Sequence, residues 1–322
     1  MRTSIAVLAG VVALLAVSVT SAVANPQGPN GQIAFGRFDP ILEDTVFYTV
    51  NPDGSHERQL LPLPFECPRW SPDGTRIATC GGPDGSSSAI INPDDGSYRE
   101  LFSPDPTLFL ACFVWSPDAE RLACEPFEEP VDPTRRGIYS IRSSDGGGLT
   151  RITSSQGHDE PGDYSPNGKR LVFGRGDQNG EPVGLYVAEV DGRGVRQVTP
   201  TGTLFSSAGD WSPQRNEIVF SQHFTSDARS SIWVVHANGT GLHEIHVRAQ
   251  PACGGAISDP STQGCFQPRW SPDGKKIIFS RGTSGHNDSN IYSVDTDGAN
   301  LTQITHGGRD QAPDWGTHPL AR

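Results

Sequence analysis

The sequence predicts an all-β chain folded as a six-bladed β-propeller of four-stranded antiparallel blades. Three observations support this prediction: a repeated motif, a constant strand order within each repeat, and incomplete repeats at the two chain ends that complement each other. The composition agrees, because 37 Gly and 27 Pro in 322 residues favour short strands joined by tight turns.

The repeated motif is an aromatic residue followed by Ser-Pro-Asp-Gly or a close variant. Successive aromatic residues are 45, 49, 47, 59 and 45 residues apart, which is about the length of one four-stranded propeller blade. The six copies begin at Trp70, Trp115, Tyr164, Trp211, Trp270 and Trp315, the last of them truncated. Asp73, Asp118 and Asp273 stand in tight turns, where Asp is a common residue. We therefore expect these Asp and aromatic residues to shape the blades rather than to catalyse a reaction.

Each repeat has the same internal order. A strand ending in the aromatic residue is followed by the Ser-Pro-Asp-Gly turn, a short apolar strand, a loop, a second apolar strand, a hairpin and a last strand. The hairpins carry Asp53-Gly54, Asp95-Gly96, Asp145-Gly146, Asp191-Gly192, Asn238-Gly239 and Asp297-Gly298. Such dipeptides tolerate positive φ and close hairpins. Four strands form a small sheet that buries both faces only by packing against neighbouring sheets in a ring.

The two chain ends predict how the ring closes. Residues 30–35 correspond to the strand that follows the turn, and residues 311–315 to the strand that precedes it. The C-terminal strand is therefore expected to complete the N-terminal blade, which removes an exposed sheet edge.

Residues 1–24 have the pattern of a secretory signal peptide. A positive start precedes an uncharged apolar run from Ile5 to Val19, and Ala22-Val23-Ala24 resembles a cleavage site. An uncleaved anchor is the alternative. We expect residues 25–322 to form a single propeller domain without a membrane span, in an extracellular, periplasmic or cell-envelope location.

Six cysteines in an exported chain indicate disulfides. The candidates form three local pairs, Cys67 with Cys80, Cys112 with Cys124, and Cys253 with Cys265. Other pairings are possible in principle, but short loops favour these three. A zinc site is a weak alternative, because the sequence has no C-x-x-C spacing.

The W-S-P-D-G repeat, followed by an I-A-F-like strand and a D-G hairpin, resembles the TolB-like, WD40-like propeller family over about residues 30–316. The resemblance implies a propeller domain that grips another envelope or extracellular protein. TolB itself carries an additional N-terminal α/β domain, and propellers of prolyl-oligopeptidase-like enzymes precede a hydrolase domain. We expect neither in this chain.

Blade topology separates two faces of the ring. The Ser-Pro-Asp-Gly turns and the Asp-Gly hairpins share one end, called here the tight-turn face. The other connections, including those at residues 125–136, 221–231, 246–266 and 280–290, share the opposite end, called the long-loop face. Long loops on a rigid scaffold are where binding usually resides, so we expect the binding site there. Neutral surface insertions are the alternative.

Polar residues that enter the innermost strands are candidates for a site at the channel mouth. They are His158, Asp159, Glu160, Arg309 and Asp310. Their oxygen atoms are compatible with Ca²⁺ or another divalent ion, although we predict no cofactor and assign no metal ligands. The alternative is that the carboxylates bond to loop N–H groups and neighbouring blades.

The function predicted from these features is a non-enzymatic scaffold that binds a protein or peptide. A net charge of −12 argues against nucleic acid as a partner. The sequence has no G-x-S-x-G, H-E-x-x-H, P-loop or Rossmann glycine pattern. One alternative is a metal-dependent lyase or lactonase that draws on His158, His223, His286 and His306. Another is a binder of cell-wall carbohydrate, which would need exposed Trp or Tyr on the long-loop face.

Overall fold

The computed structural model describes residues 28–83, 87–127, 132–179, 181–205, 207–223, 229–249, 252–259, 262–283 and 288–322. The predicted signal peptide, residues 1–24, lies outside the described residues. Within the described ranges the regular structure is strand, apart from one 3-10 turn at Pro133–Arg135. None of these residues belongs to a helix of the length and apolarity that a membrane crossing requires.

Six antiparallel sheets form the blades, which confirms the predicted fold class. Blade 1 contains β1 (Ile33–Asp39), β2 (Asp44–Val50), β3 (Arg58–Pro64) and the closing strand β26 (Asp310–Trp315). Blade 2 contains β4 (Arg69–Trp70), β5 (Ile77–Ala78), β6 (Ser88–Ile91) and β7 (Tyr98–Leu101). Blade 3 contains β8 (Leu110–Trp115), β9 (Arg121–Pro126), β10 (Tyr139–Arg142) and β11 (Thr150–Arg151).

The last three blades follow the same order with small elaborations. Blade 4 contains β12 (Asp159–Tyr164), β13 (Arg170–Gly176), β14 (Pro182–Glu189) and β15 (Arg196–Gln197). In blade 5, β16 (Leu204–Phe205) and β17 (Asp210–Trp211) both pair with β18 (Glu217–His223), followed by β19 (Ser231–His236) and β20 (His243–Glu244). In blade 6, β21 (Ala252–Cys253) pairs in parallel with β22 (Thr262–Trp270), followed by β23 (Lys276–Gly282), β24 (Asn290–Asp295) and β25 (Thr302–Gln303).

The C-terminal strand closes the ring as predicted. In the β26–β1 pairing Trp315 lies opposite Ile33, and its indole Nε1 donates to the carbonyl of Gly31 at 3.0 Å. The chain beyond β26 then packs against blades 1 and 2, where the His318 ring stacks on Trp70 with 5.1 Å between centroids. Both chain ends are thus tied into one sheet, which leaves no free edge at the junction.

The motif aromatics pack between neighbouring blades. The Trp115 indole of blade 3 donates to the carbonyl of Arg69 in blade 2 at 3.0 Å. The Arg76 guanidinium carbon, also from blade 2, lies 4.8 Å from the Trp115 ring centroid. Arg170 with Trp211 and Arg215 with Trp270 repeat this stacking at 4.8 and 5.0 Å. The large buried area of these rings holds adjacent sheets together.

The motif Asp residues bond within their own turns. The Asp73 carboxylate accepts hydrogen bonds from the Ser71 hydroxyl at 2.5 Å and from the Thr75 backbone N–H at 3.0 Å. Gly74 takes a left-handed φ of 68°, which the turn requires of that position. The corresponding residues of the other turns, Asp118, Asn167 and Asp273, repeat these bonds.

The three local cysteine pairs all lie at disulfide distance. The Cα–Cα distances are 5.4 Å for Cys67–Cys80, 4.0 Å for Cys112–Cys124 and 5.5 Å for Cys253–Cys265. The second pair joins the directly opposed residues of β8 and β9. No cysteine among the described residues is free.

Candidate functional site

A cavity of about 510 Å³ opens on the long-loop face, where blades 1, 2 and 3 meet. Its lining residues are Asp44, Pro64, Phe65, Glu66, Cys80, Gly81, Gly82, Pro83, Ala111, Glu125 and Phe127. Three of these side chains are carboxylates, and the described lining contains neither Lys nor Arg. The cavity therefore offers a negatively charged, partly apolar recess.

Disulfides fix the walls of this cavity. Cys67–Cys80 joins the segment that enters blade 2 to the loop after β5, and the adjoining Glu66 forms a β-bridge with Gly81. Cys124, which is joined to Cys112, directly precedes Glu125 in β9. Glu66 and Glu125 are therefore carried by covalently restrained segments, and Asp44 by the first position of β2.

Glu125 also contacts the innermost strand of the next blade. Its carboxylate Oε2 lies 3.0 Å from Nε2 of His158, which immediately precedes β12. The hydrogen bond to Glu125 raises the pKa of His158 above its usual value. Burial, followed by the charge of Glu125, raises the pKa of Glu160 to about 7. Near neutral pH this cluster therefore holds protons that isolated carboxylates would release.

The sequence analysis placed Glu125 in the long-loop connection at residues 125–136 but did not bring it together with His158, although Glu125 leaves a further signal in the sequence. It occupies the position of the second strand that holds Gly36, Gly174, Ser221 and Ser280 in other blades. A charged residue among small ones at a repeated position marks a departure from the framework. Its proximity to His158 depends on how blades 3 and 4 pack, which the repeat alone does not show.

Two of the predicted mouth residues form internal ion pairs. Asp159 is 1% exposed and accepts from Nε and Nη2 of Arg175 at 2.7 and 2.8 Å. Asp310 is fully buried and accepts from Nε and Nη2 of Arg37 at 2.6 and 3.0 Å. Burial raises the pKa of Asp310, even beside Arg37. Both carboxylates thus bond to an arginine in the second strand of their own blade.

Arg309 lies apart from the acidic cluster. Its backbone is left-handed with φ of 60°, and its guanidinium carbon lies 3.4 Å from the ring centroid of Phe38. Arg309 and Asp310 belong to blade 1, whereas His158, Asp159 and Glu160 belong to blade 4 on the other side of the ring. The structure therefore joins His158 and Glu160 with Glu125 but does not gather the five predicted residues into one cluster.

Five charged side chains and one Val also line the channel near the tight-turn face, at the position before each motif aromatic. Around the ring these residues are Asp314, Arg69, Val114, Asp163, Asp210 and Arg269. They surround a space of only about 30 Å³, room for about one water. Asp210 accepts from Arg269 at 3.0 Å and from the Trp270 backbone N–H at 2.7 Å. These bonds link blades 5 and 6 beside this space.

Two carboxyl groups among these channel residues, those of Asp163 and Asp314, have raised pKa values. Burial and the charge of Asp210 raise the pKa of Asp163 well above its usual value. Burial raises the pKa of Asp314 to about 6. Each accepts a backbone N–H of the next motif aromatic, Asp163 from Trp211 at 3.1 Å and Asp314 from Trp70 at 2.7 Å. They serve as links between blades.

Several large exposed apolar side chains belong to connections of the long-loop face. They are Ile41, Leu42, Phe109, Phe127 and Ile257. Phe127 borders the acidic cavity and meets Phe109 edge to face, with 6.1 Å between ring centroids. An exposed apolar patch beside a polar recess is characteristic of an interaction surface.

The residues behind the alternative functions are dispersed or buried. Among the described residues no group of three or more His, Cys, Asp or Glu is arranged to hold a metal ion. His286 and the side chain of His223 lie outside the described part of the chain. The five motif Trp residues are at most 5% exposed, and Trp233 is half-buried. The described long-loop face therefore carries no exposed Trp on which a sugar ring would stack.

Known proteins share this architecture. A family model described as the TolB beta propeller domain matches residues 42–251. The crystal structure of TolB from Acinetobacter baumannii aligns with a TM-score of 0.67 and 20% identity, covering 89% of this chain and 66% of that one. The structure of putative TolB from Agrobacterium tumefaciens aligns with a TM-score of 0.63 and 20% identity, covering 91% and 94%.

A curated relative matches a smaller region. The Tol-Pal system protein TolB of Francisella tularensis subsp. mediasiatica is 23% identical over 179 residues, which is 55% of this chain and 37% of that protein. The match thus spans little more than a third of the relative's length. At these identities the solved structures establish the fold.

Proposed function

Because the chain belongs to the TolB β-propeller family, we propose that it is a non-enzymatic scaffold that binds a protein or peptide with its long-loop face. The observation that carries this proposal is the acidic cavity bordered by exposed Phe127. The recess suits a peptide segment with a Lys or Arg beside an apolar residue. The cation would enter among Asp44, Glu66 and Glu125, and the apolar side chain would pack on Phe127.

The restrained walls favour such binding. Cys67–Cys80 and Cys112–Cys124 hold the segments that carry Glu66 and Glu125. A recess that is already formed orders little on binding, so more of the contact energy appears as affinity. Two of the three cysteine pairs thus adjoin this recess.

We infer that the protein acts outside the cytoplasm, in an extracellular, periplasmic or cell-envelope location. The three cysteine pairs at disulfide distance support this inference, because disulfides persist in oxidising compartments. The proposed partner is another envelope or extracellular protein. The proposal requires no bound ion, and a Ca²⁺ or other divalent ion at the mouth stays a prediction that metal analysis of the purified protein would test.

Selection from a random peptide display library on the immobilised protein tests the binding proposal. We expect the selected sequences to combine a Lys or Arg with a neighbouring apolar residue. Glu125→Gln and Phe127→Ala should each weaken the best peptide at least about tenfold, because each removes one half of the recess. The binding should also weaken as salt rises.

Variants on the tight-turn face provide the control. Glu189→Gln repeats the change made at Glu125, and Val195→Ala truncates an exposed apolar side chain, both on the opposite end of the ring. If these variants weaken the selected peptides while Glu125→Gln and Phe127→Ala bind normally, the proposed site is wrong. Turnover of a polysaccharide or lactone by the purified protein would contradict the non-enzymatic part of the proposal.

A further inference from the structure

Three blades contain the same arginine cradle near the long-loop face. An Arg close to the end of the second strand stacks on a Tyr of the third strand. The distances from guanidinium carbon to ring centroid are 4.6 Å for Arg37 on Tyr48, 5.0 Å for Arg175 on Tyr186 and 5.2 Å for Arg281 on Tyr292. The shared geometry allows the three sites to be compared group by group.

In blades 1 and 4 the cradle holds a carboxylate. The directly opposed residue of the innermost strand is Asp310 in one case and Asp159 in the other. Each carboxylate is gripped by Nε and Nη2 of its arginine, as described above. A Thr hydroxyl gives a third bond, from Thr305 to Asp310 at 2.5 Å and from Thr153 to Asp159 at 2.7 Å.

Blade 6 has the arginine without its carboxylate. The residue opposite Arg281 is Cys265, which is joined to Cys253. In the two filled cradles, the Thr directly follows an Ile whose backbone N–H donates to the preceding blade. The equivalent Ile before blade 6 is Ile245, and the residue after it is His246, whose side chain is 82% exposed. In the part of blade 6 that the structure describes, Arg281 therefore has neither the carboxylate acceptor nor the supporting Thr hydroxyl of the other two cradles.

The atoms of Arg281 that lack a hydrogen-bond partner among the described residues correspond to the two that bind a carboxylate in blades 1 and 4. Nε and Nη2 of Arg281 are buried, and among the described residues they have no hydrogen-bond partner; the residue as a whole is only 3% exposed. Burial lowers the pKa of Arg281, as expected for a cation without a paired carboxylate. A buried unpaired charge is costly, so an acceptor at these atoms would be strongly favoured.

We propose that Arg281 forms a carboxylate-binding site that receives one carboxylate group from outside the chain through Nε and Nη2. Planar guanidinium matches carboxylate in a bidentate pair, and both sister cradles show this geometry with Asp. The small exposed fraction limits the ligand to a single carboxylate, supplied either by a small free acid or by the C-terminus of a peptide. The site belongs to blade 6 and is separate from the acidic cavity of blades 1 to 3.

Thermal unfolding in formate against chloride, at constant ionic strength and pH, tests this site. We expect formate to raise the Tm of the unaltered chain in a saturable way, by on the order of 2 °C. Arg281→Gln should abolish the saturable rise. A variant that fills the cradle internally, Cys253→Ser with Cys265→Asp, should also abolish it, whereas Cys253→Ser with Cys265→Ser should retain it.

A second measurement keeps the test independent of folding and separates the two sources of carboxylate. Saturation-transfer NMR on the folded proteins would compare formate with a short peptide as its free acid and as its C-terminal amide. Contact with formate, or with the free acid and not the amide, supports the site and identifies the source. Equal effects of chloride and formate, or equal formate binding by Arg281→Gln, would overturn the proposal.

Discussion

The two faces of the ring are built from the same six repeats but differ in how their polar groups are used. On the tight-turn face, the carboxylates of residues such as Asp73 bond within their own turns. On the long-loop face, Asp44, Glu66 and Glu125 line an open recess beside exposed apolar side chains. Carboxylates bonded within their own turns on one face, and an open acidic recess on the other, support the proposal that the first face maintains the ring and the second receives a partner.

The cradles of blades 4 and 6 repeat the contrast on a smaller scale. Arg175 is satisfied by Asp159, whereas Arg281 faces Cys265. The same position therefore carries an internal ion pair in blade 4 and, among the described residues, an arginine without a carboxylate partner in blade 6. Substitutions at matched positions can break or sharpen both contrasts.

The largest expected effect concerns ring closure. Trp315→Ala should lower the free energy of unfolding by about 3–5 kcal/mol, because it removes a buried indole from the strand that joins the chain ends. Urea denaturation followed by circular dichroism would measure it. Leu320→Ala, at a half-exposed residue nearby, is the control and should change stability by less than about 0.5 kcal/mol. Similar losses of unfolding free energy for the two variants would show that the closing strand contributes little to the stability of the ring.

The next largest effect concerns the filled cradle. Asp159→Ala should cost about 3 kcal/mol, because it leaves the Arg175 guanidinium without its carboxylate. Replacing both partners, Asp159→Ala with Arg175→Met, should recover part of this loss. Arg281→Met should cost less than Arg175→Met in a buffer without carboxylates, since Arg281 has no internal partner to lose. A larger loss for Arg281→Met would remove the contrast between blades 4 and 6.

We expect the stability of the protein to depend on pH through Glu160 at the channel mouth. Glu160 in the folded protein holds its proton up to a pH of about 7, whereas the ordinary value is 4.5. The folded state therefore binds more protons between these values, and the free energy of unfolding falls as pH rises through this interval. Glu160→Gln should remove a decline on the order of 2 kcal/mol.

Because other groups titrate in the same pH range, the quantity to measure is the difference in free energy of unfolding between the unaltered protein and Glu160→Gln. The raised pKa values of His158, Asp163, Asp310 and Asp314 act in the same direction, because each favours the protonated folded form. Urea titrations across this pH range on both proteins would isolate the share of Glu160. Parallel curves for the two proteins would show that Glu160 titrates normally.

The fold was predictable because its signals are local. A turn such as Ser71-Pro72-Asp73-Gly74 is fixed by bonds within a few residues, so its repetition in sequence reports its repetition in space. Ring closure was also predictable, since the strand missing from the first repeat is present after the last one.

The candidate site was only partly predictable because it depends on contacts between blades. Glu125 meets His158 across 33 residues (158 − 125), and no local pattern encodes that approach. Asp159 was expected at the mouth, yet strand register places Arg175 directly opposite it. The sequence thus indicated where Asp159 lies in its blade, but not that Arg175 is its partner.

The smallest effect on stability is expected where the effect on binding should be largest. Phe127 is 37% exposed and touches Phe109 only edge to face, so Phe127→Ala should lower the free energy of unfolding by less than about 1 kcal/mol. Val195→Ala on the tight-turn face should behave similarly in denaturation. The two variants should differ in affinity for a peptide selected on the intact protein, because only Phe127 borders the acidic cavity. A stability loss at Phe127 comparable to that at Trp315 would place this ring in the framework and remove the distinction between the two faces at that residue.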